Sequence, residues 1–143
     1  MYEPYAIFAS ANMSSDCCTA KPTPRGKDLE ALTDVYAALA DPTRLRILSL
    51  LGDGEICVCH IHASLDVPQP TASRHLAYLR KAGLVEARRD GIWMHYHLAE
   101  IANPVVGAVV KSALHALTHM AIRAKDEKRL QLALKAPAAA LRA

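Results

Sequence analysis

The fold of this chain is constrained most by two short helical segments that a tight turn joins and a hairpin signal follows. The first helix is predicted over residues 55–65, and a turn with two prolines spans residues 66–70. The second helix is predicted over residues 71–82, where apolar side chains recur every three or four positions. Two strand-like runs then flank Arg89-Asp90-Gly91, and an Asp-Gly pair is typical of a hairpin turn. This order of elements predicts a winged helix-turn-helix.

Helical patterns flank this unit on both sides, and they set the expected domain organisation. An Asp-Pro pair at residues 41–42 fits the cap and the first residue of a helix. We expect a flexible arm over residues 1–27, a mainly α domain with a β-hairpin wing over residues 28–120, and a basic, Ala-rich tail over residues 121–143 that either extends the last helix or frays. The long helix before the tail has an apolar face that little else in the chain covers, so a homodimer is predicted.

Composition excludes several classes of protein. The chain of 143 residues has 17 basic and 14 acidic side chains, so its net charge of +3 is not that of a histone-like polycation. No apolar run reaches the roughly 18 residues that a membrane span needs, and the N-terminus lacks the pattern of a signal peptide. We therefore expect a cytoplasmic protein with no membrane partner, in a compartment where thiols stay reduced.

The excess positive charge lies in one stretch, residues 69–91, which contains five basic and two acidic side chains. Short hydroxyl and amide side chains at the start of its helix suit contacts with DNA phosphates and base edges. Basic side chains at the hairpin tip suit phosphate contacts or entry into a minor groove. The alternative is an ordinary solvated helix with a charged turn. The predicted contacts with double-stranded DNA are Gln69, Thr71, Ser73, Arg74 and His75 on the helix, and Arg88 and Arg89 on the hairpin.

Four cysteines form two close pairs, Cys17-Cys18 in the arm and Cys57-x-Cys59 in the first predicted helix. In a reducing compartment such pairs favour soft-ion ligands over disulfides. Side chains two positions apart on an α-helix point about 200° away from each other. One ion can then bind both Cys57 and Cys59 only if the helix bends, and a ligand that distorts a DNA-binding unit acts as a switch.

Three stretches of the sequence carry a resemblance to a known family. They are ALADPTRLRIL (38–48), EICVC (55–59) and QPTASRHLAYLRKAGLV (69–85). Together they resemble the ArsR/SmtB family of bacterial metal-responsive repressors, over about residues 30–120. The resemblance implies a homodimer that sits on operator DNA and leaves when an inducer binds. The sequence departs from the family pattern at Pro68, where many members have a serine cap, and at Pro70, and both prolines bear on the role of Gln69.

Family members with Cys-Val-Cys at this place typically sense arsenite or soft cations such as Cd(II) and Pb(II), and thiolates select such acceptors. The third thiol that often follows three residues later is replaced here by His62. A sulfur from the arm, in the same subunit or across the dimer, is the expected substitute. The predicted function is a repressor of the arsenical-resistance type, released by As(III) or Sb(III), and a Cd(II)-, Pb(II)- or Zn(II)-responsive repressor is the alternative. The predicted ligands are Cys57, Cys59, Cys17 and Cys18.

Histidines and thiols offer further possibilities. His115 and His119 have the i, i+4 spacing of an intersubunit zinc site of this family, but the Asp-x-His that precedes that site is missing, which favours interface packing. His60 is expected to face solvent or to cap a helix. Oxidation that joins an arm cysteine to Cys57 or Cys59 would make a thiol-redox-responsive repressor. The chain has no Cys-x-x-Cys and no phosphate-cradling loop, so neither an enzyme nor an organic cofactor is expected.

Overall fold

The computed structural model describes residues 25–137 and 140–141. Within these residues the chain forms six α-helices and three β-strands: α1 (Arg25–Leu39), α2 (Pro42–Leu51), β1 (Ile56–Cys57), α3 (Val58–Leu65), α4 (Gln69–Lys81), β2 (Val85–Asp90), β3 (Trp93–Leu98), α5 (Pro104–Thr118) and α6 (Ala121–Lys135). Helices α3 and α4 form the helix-turn-helix, and β2 and β3 form the wing. The predicted fold class, mainly α with a β-hairpin wing, is confirmed.

Helix α2 begins where the Asp-Pro pair predicts. The side chain of Asp41 accepts a hydrogen bond from the backbone N–H of Arg44 at 2.9 Å, and Pro42 occupies the first turn, where N–H groups lack intrahelical partners. The C-terminal half of α2 packs with α3 and α4 around a buried centre. Members of this centre include Ile47, Leu48, Leu51, Ile61, Leu65, Leu76 and Leu79. Burial of each such side chain contributes about 1.5–3 kcal/mol, so the centre fixes how the helix-turn-helix pair is held.

The turn between α3 and α4 lets the second helix start two residues earlier than predicted. Asp66 takes a left-handed conformation (φ 58°) that ends α3, and its N–H bonds back into that helix. Pro68 is the cap residue of α4 without a side-chain hydrogen bond, and Pro70 lies in the first turn. A proline is tolerated there because the first N–H groups of a helix have no intrahelical partner. Gln69 is thus the first residue of α4.

The turn of the wing falls later in the chain than the predicted Arg89-Asp90-Gly91. Strands β2 and β3 pair antiparallel along their whole length, and Gly91 and Ile92 form a two-residue turn between them. Gly91 has φ 58°, a conformation that glycine adopts at little cost. Arg88 and Arg89, expected at the hairpin tip, lie within β2 instead, with Arg88 opposite His95.

The helix predicted over residues 55–65 is wrong at its start, because Ile56 and Cys57 form strand β1. Ile56 pairs with Tyr96, and the next residue pairs with His95, so β1 is the third strand of a sheet with the order β1-β3-β2. The edge of β3 offers backbone groups that need partners, and an extended segment supplies them. Helix α3 starts only after Cys57, which is its extended N-cap residue (φ −68°, ψ 144°).

Residues 121–143, expected as a basic tail, contain helix α6, which turns by 82° from α5 and packs against α3 and α2. Asp126 of α6 is almost fully buried and accepts two hydrogen bonds from the guanidinium of Arg46, at 2.6 and 2.8 Å. Arg46 also donates to the carbonyl of Leu65, at the end of α3, at 3.2 Å. Because a buried carboxylate is costly without a partner, this ion pair ties α6 to the helix-turn-helix.

Helix α5 packs against α1 and begins at a side-chain cap. The Asn103 side chain accepts the backbone N–H of Val105 at 2.9 Å, and its amide donates to the carboxylate of Asp28 on α1 at 3.2 Å. No single helix among residues 25–137 and 140–141 has both the length and the apolar composition to cross a membrane. The bent pair of α5 and α6 meets both criteria only when its two helices are counted together.

Candidate metal site and DNA-binding face

The sulfur atoms of Cys57 and Cys59 lie 2.9 Å apart at the start of α3. Both thiols are free, the two residues are 5% and 2% exposed, and the Cys59 thiol donates a hydrogen bond to the Cys57 sulfur. They converge because Cys57 is extended in β1 while Cys59 lies in the first turn of α3. The expected divergence of about 200° assumed one continuous helix and is therefore wrong. Both sulfurs can reach one ion without a bend in α3.

The ring of His60 adds a third donor to this cluster. Its Nδ1 lies 3.7 Å from the Cys59 sulfur, and the ligand atoms of Cys57, Cys59 and His60 all lie within 4.8 Å of one another. The expectation of a solvent-facing or capping His60 is wrong, since the residue is half-buried beside the thiols. A helix that starts at Val58 brings the three donors together, which explains why spacing alone did not reveal the histidine. Two sulfurs and one imidazole suit soft or borderline ions.

The surroundings keep Cys59 and His60 in their neutral forms. Burial, followed by the hydrogen bond and the charge of Cys57, raises the pKa of Cys59 to about 12. Burial, followed by the positive charges of His95 and His62, lowers the pKa of His60. The Cys59 thiol is therefore protonated near neutral pH, and a cation that binds it must displace the proton. The neutral imidazole of His60 already presents a lone pair.

His62, which stands in the place of the expected third thiol, does not join the cluster. Its Nε2 lies 2.9 Å from the carbonyl oxygen of Leu141, and its Nδ1 lies 3.3 Å from that of Val67. The His62 ring thus lies against backbone carbonyl oxygens outside the thiol pair, which agrees with the expectation that His62 does not replace a sulfur. Cys17 and Cys18 lie outside the described residues, and their role stays a prediction.

A cleft of about 320 Å³ connects Cys59 with the two elements that are predicted to contact DNA. It is lined by Val58, Cys59, Gln69, Ile92, Trp93 and Met94. These residues belong to the start of α3, the first residue of α4, and the turn and first residues of β3. A ligand on Cys59 therefore shares the cleft with the beginning of α4 and with the tip of the wing.

The predicted DNA contacts on α4 divide into exposed and half-buried side chains. The exposed ones are Gln69 and Arg74, and the half-buried ones are Thr71, Ser73 and His75. His75 Nδ1 lies 3.7 Å from a carboxylate oxygen of Asp41, the cap of α2. The guanidinium of Arg44 stacks 4.2 Å from the ring centre of Tyr78 on α4, a favourable cation–π arrangement. Both contacts hold α4 at a defined position on α2.

On the wing, Arg88 and Arg89 are exposed, but each guanidinium already has a partner. Arg88 donates to the carboxylate of Glu55 at 2.6, 3.1 and 3.2 Å. Arg89 donates from Nε to the carbonyl of Gly91 at 3.0 Å. The hydrogen bond from Arg88 is the main cause that lowers the pKa of Glu55, so this carboxylate is charged at neutral pH. Arg88 uses only its Nε and Nη2 atoms in the contact with Glu55 and Arg89 only its Nε atom, so both guanidinium groups keep N–H groups that can meet a phosphate.

His115 and His119 lie on the exposed surface at the end of α5, with their ring centres 5.0 Å apart and their planes at 84°. The i, i+4 spacing therefore brings the two rings into edge-to-face contact. In the part of the chain that the structure describes, no third cysteine, histidine or carboxylate joins them to form a three-ligand group. Interface packing stays the prediction for this pair.

The part of the chain that contains the helix-turn-helix is similar in sequence to known proteins. A family model described as bacterial regulatory protein, arsR family, matches residues 41–87. The uncharacterized HTH-type transcriptional regulator MJ1325 of Methanocaldococcus jannaschii is 47% identical over 72 residues, which are 50% of this chain and 81% of that protein. The arsenic resistance transcriptional regulator ArsR1 of Pseudomonas putida is 42% identical over 96 residues, which are 65% of this chain and 75% of that protein.

A solved structure shares the fold. The homodimeric winged helix-turn-helix DNA-binding domain of Mb0332 from Mycobacterium bovis, a possible ArsR-family transcriptional regulator, has 32% sequence identity and a TM-score of 0.55. The match covers 71% of this chain and 92% of that domain. Because the relatives are transcriptional regulators, the expectation of a regulator rather than an enzyme is confirmed. The resemblance predicted from the three stretches is confirmed as well, and the chain belongs to the arsR family of bacterial regulatory proteins.

Proposed function

We propose that this chain is a homodimeric transcriptional repressor that binds operator DNA and is released when As(III) or Sb(III) binds to cysteine thiolates. Cys57 and Cys59 are the proposed ligands among the described residues, and Cys17 and Cys18 are the proposed source of a further sulfur. The observation that carries the proposal is the 2.9 Å approach of two free, buried thiols at the start of the helix-turn-helix. The relative ArsR1, an arsenic resistance regulator by name, supports the choice of ion.

Trivalent arsenic in neutral water is the uncharged hydroxide, and its exchange with thiols needs no oxidant. Each thiol that joins arsenic gives its proton to a hydroxyl group, which leaves as water, so an As–S bond replaces an As–O bond. Burial and Cys57 raise the pKa of Cys59 to about 12, so this thiol reacts from its protonated form. A neutral exchange suits such a site because no charge has to be created in a buried place.

A ligand that binds both sulfurs acts on two structural elements at once. Cys57 belongs to β1, which pairs with β3 of the wing, and Cys59 lines the cleft that Gln69 shares. We expect the ligand to shift β1 relative to α3 and, across the cleft, to shift the start of α4. These movements replace the bend in a continuous helix that the sequence suggested.

In the proposed repressor, the two α4 helices of a homodimer lie in successive major grooves of an imperfect palindrome. Side chains on α4 contact base edges and phosphates, and the wing contacts phosphates. The proposed contact residues are Gln69, Thr71, Ser73, Arg74, His75, Arg88 and Arg89. The homodimeric state of the Mb0332 domain supports the dimer. A protein of this kind acts in the cytoplasm and needs neither a membrane nor an organic cofactor.

A repressor that responds to Cd(II), Pb(II) or Zn(II) is a second candidate, and His60 favours it. Imidazole nitrogen is a common zinc ligand, whereas thiolate sulfur selects softer acceptors. The His60 Nδ1 atom, 3.7 Å from the Cys59 sulfur, is a donor that arsenic does not require. The His60→Ala variant separates the two candidates, because it should weaken the response to a divalent cation and leave the response to As(III) unchanged.

Operator binding measured by fluorescence anisotropy tests the proposal, with As(III), Sb(III), Cd(II), Pb(II) and Zn(II) titrated in turn. We expect As(III) to weaken wild-type operator binding roughly a hundredfold, which corresponds to about 3 kcal/mol of coupling. Cys57→Ser and Cys59→Ser should bind the operator as wild type does but fail to release it, and Cys17→Ser and Cys18→Ser test the arm. Full release of Cys57→Ser and Cys59→Ser by As(III) would contradict the site. Release by peroxide without any ion would indicate the thiol-redox repressor instead.

A further inference from the structure

The carboxylate of Glu55, close in sequence to the thiol pair, lies near three basic side chains of the wing. Glu55 lies two residues before Cys57, and its carboxylate accepts hydrogen bonds from both Nε and Nη2 of Arg88. The Nδ1 atoms of His95 and His97 lie 3.9 and 3.6 Å from oxygens of the same carboxylate. One side chain of the segment that carries the thiols therefore faces both strands of the wing.

The register of the sheet explains why these groups meet. Cys57 and Arg88 both lie opposite His95, one on each side of β3. Residues paired across neighbouring strands project from the same face of a sheet. The thiol, the guanidinium and the imidazole thus share one face, and Glu55 approaches this face from the residue before β1. A displacement of Cys57 should therefore move Glu55 relative to Arg88.

The contact between Glu55 and Arg88 fixes an orientation more than it stabilises the fold. The side chains are 32% and 52% exposed, and exposed ion pairs contribute little to folding. The carboxylate of Glu55 occupies the edge of the Arg88 guanidinium that carries Nε and Nη2. The Nη1 atom lies 3.8 Å from Asp90, beyond hydrogen-bond distance. A planar guanidinium held by one edge presents its remaining N–H groups in a fixed direction. Such an arginine loses less conformational freedom when it meets a phosphate.

We propose that Glu55 is the positioning residue that couples the thiol site to the wing, by holding Arg88 in the orientation that meets a DNA phosphate. This inference rests on the proposed function. Inducer bound at Cys57 and Cys59 displaces Glu55, Arg88 loses its fixed orientation, and the phosphate contact of the wing weakens. The thiol site then acts on DNA through the sheet as well as across the cleft.

Glu55→Gln and Glu86→Gln make a matched pair for the test. Each removes one carboxylate near the same face of the sheet and so raises the net charge of the chain by one, but Glu86 faces His97 at 3.3 Å rather than Arg88. Removal of a negative charge by itself strengthens DNA binding, because the DNA backbone is an anion. We expect Glu86→Gln to bind the operator at least as tightly as wild type. Glu55→Gln should bind about two- to fivefold more weakly, the size typical of an exposed charge pair.

Salt dependence and the inducer response are two readouts that a purely structural role of Glu55 does not move. A plot of the logarithm of the operator binding constant against the logarithm of the salt concentration has a negative slope. Loss of one phosphate contact should make this slope less steep by about 0.9. We expect this change in Glu55→Gln and in Arg88→Ala alike. The factor by which As(III) releases the operator should shrink in Glu55→Gln as much as the operator affinity does. The affinity of the free protein for As(III), followed by Trp93 fluorescence, should equal that of wild type.

Tighter operator binding by Glu55→Gln, with an undiminished release factor, overturns the inference even if As(III) releases the wild type. A second contradiction would be a further loss of affinity when Arg88→Ala is added to Glu55→Gln, because residues that act as a unit are not additive. If As(III) releases neither wild type nor Glu86→Gln, the proposed function fails and the coupling fails with it. Even in that case, the operator affinities and the salt dependence of Glu55→Gln and Arg88→Ala show whether Glu55 positions Arg88.

Discussion

Cys57 lies directly opposite His95 in the three-stranded sheet, so one thiol of the candidate metal site is a member of the wing sheet. The other thiol, that of Cys59, lies in the first helix of the helix-turn-helix, and the two sulfurs are 2.9 Å apart. A ligand that binds both sulfurs therefore joins two units whose relative position determines how the protein meets DNA. A change in the separation of the sulfurs that rotation of the two side chains does not absorb moves the wing relative to α3.

Trp93 should report ligand binding, because it is the only tryptophan of the chain and lines the cleft with Cys59. We expect As(III) to change the intensity or the wavelength of its emission until one ion is bound per thiol pair. Cys59→Ser should remove this change, whereas His119→Ala, at the residue that follows α5, should retain it. An undiminished emission change in Cys59→Ser would mean that the ion binds elsewhere.

The pKa of Cys59, raised to about 12 by burial and by Cys57, provides a pH test that separates the two classes of ion. Between about pH 6 and 8 the thiol is protonated, so a divalent cation must displace the proton and its apparent affinity should rise by up to about tenfold per pH unit for each proton displaced. Neutral arsenous acid takes up the thiol proton on a hydroxyl group that leaves as water, so no free proton is released. The affinity for As(III) should therefore stay nearly constant between about pH 6 and 8. Calorimetric titrations in buffers of different ionisation enthalpy count the protons, and proton release with As(III) would contradict a neutral exchange.

Local signals in the sequence predicted the elements that local contacts stabilise. The start of α2 was predictable because Asp41 caps the N–H of a residue three positions later. The hairpin was predictable because an Asp-Gly pair forms tight turns, although the observed turn uses Gly91 and Ile92. Caps and turns depend on neighbours in sequence, so they can be read without knowledge of the rest of the fold.

Elements that depend on distant partners could not be predicted in this way. Strand β1 has two residues and forms because β3, far along the chain, offers an edge. The position of Cys57 depends on that strand. The short distance between the two sulfurs and the position of His60 beside Cys59 could therefore not be predicted from the sequence pattern. The same holds for α6, since Asp126 and its partner Arg46 are 80 positions apart.

Asp41 should stabilise the fold at neutral pH and lose this effect in acid. Burial alone would raise the pKa of Asp41, but the N–H of Arg44 and the charges of His75 and Arg44 outweigh burial and lower the pKa below its ordinary value of 3.8. A carboxyl group with a lower pKa in the folded state adds stability above its unfolded pKa, and the stability is lost as the pH falls through the folded pKa. Asp41→Ala should cost about 1 kcal/mol at pH 7. Urea unfolding should show this cost shrinking below about pH 4, and a cost independent of pH would contradict the assignment.

Asp126→Ala should destabilise the protein strongly, because it leaves Arg46 without its partner. The Asp126 and Arg46 side chains are 3% and 21% exposed, and loss of one member of such a buried pair costs about 3 kcal/mol. Glu127→Ala is the matched control on α6, since Glu127 is 45% exposed and faces Arg123 at 3.6 Å. It should cost less than about 1 kcal/mol. Equal losses in urea unfolding would mean that the ion pair does not hold α6 in place.

X-ray absorption at the arsenic edge tests most directly whether Cys57 and Cys59 together hold the inducer. Wild type loaded with As(III) should contain one arsenic per protomer with sulfur ligands. The double variant Cys57→Ser/Cys59→Ser, in which Cys17 and Cys18 are intact, should retain no stoichiometric arsenic. Sulfur-bound arsenic at the wild-type stoichiometry in that variant would contradict the proposed site.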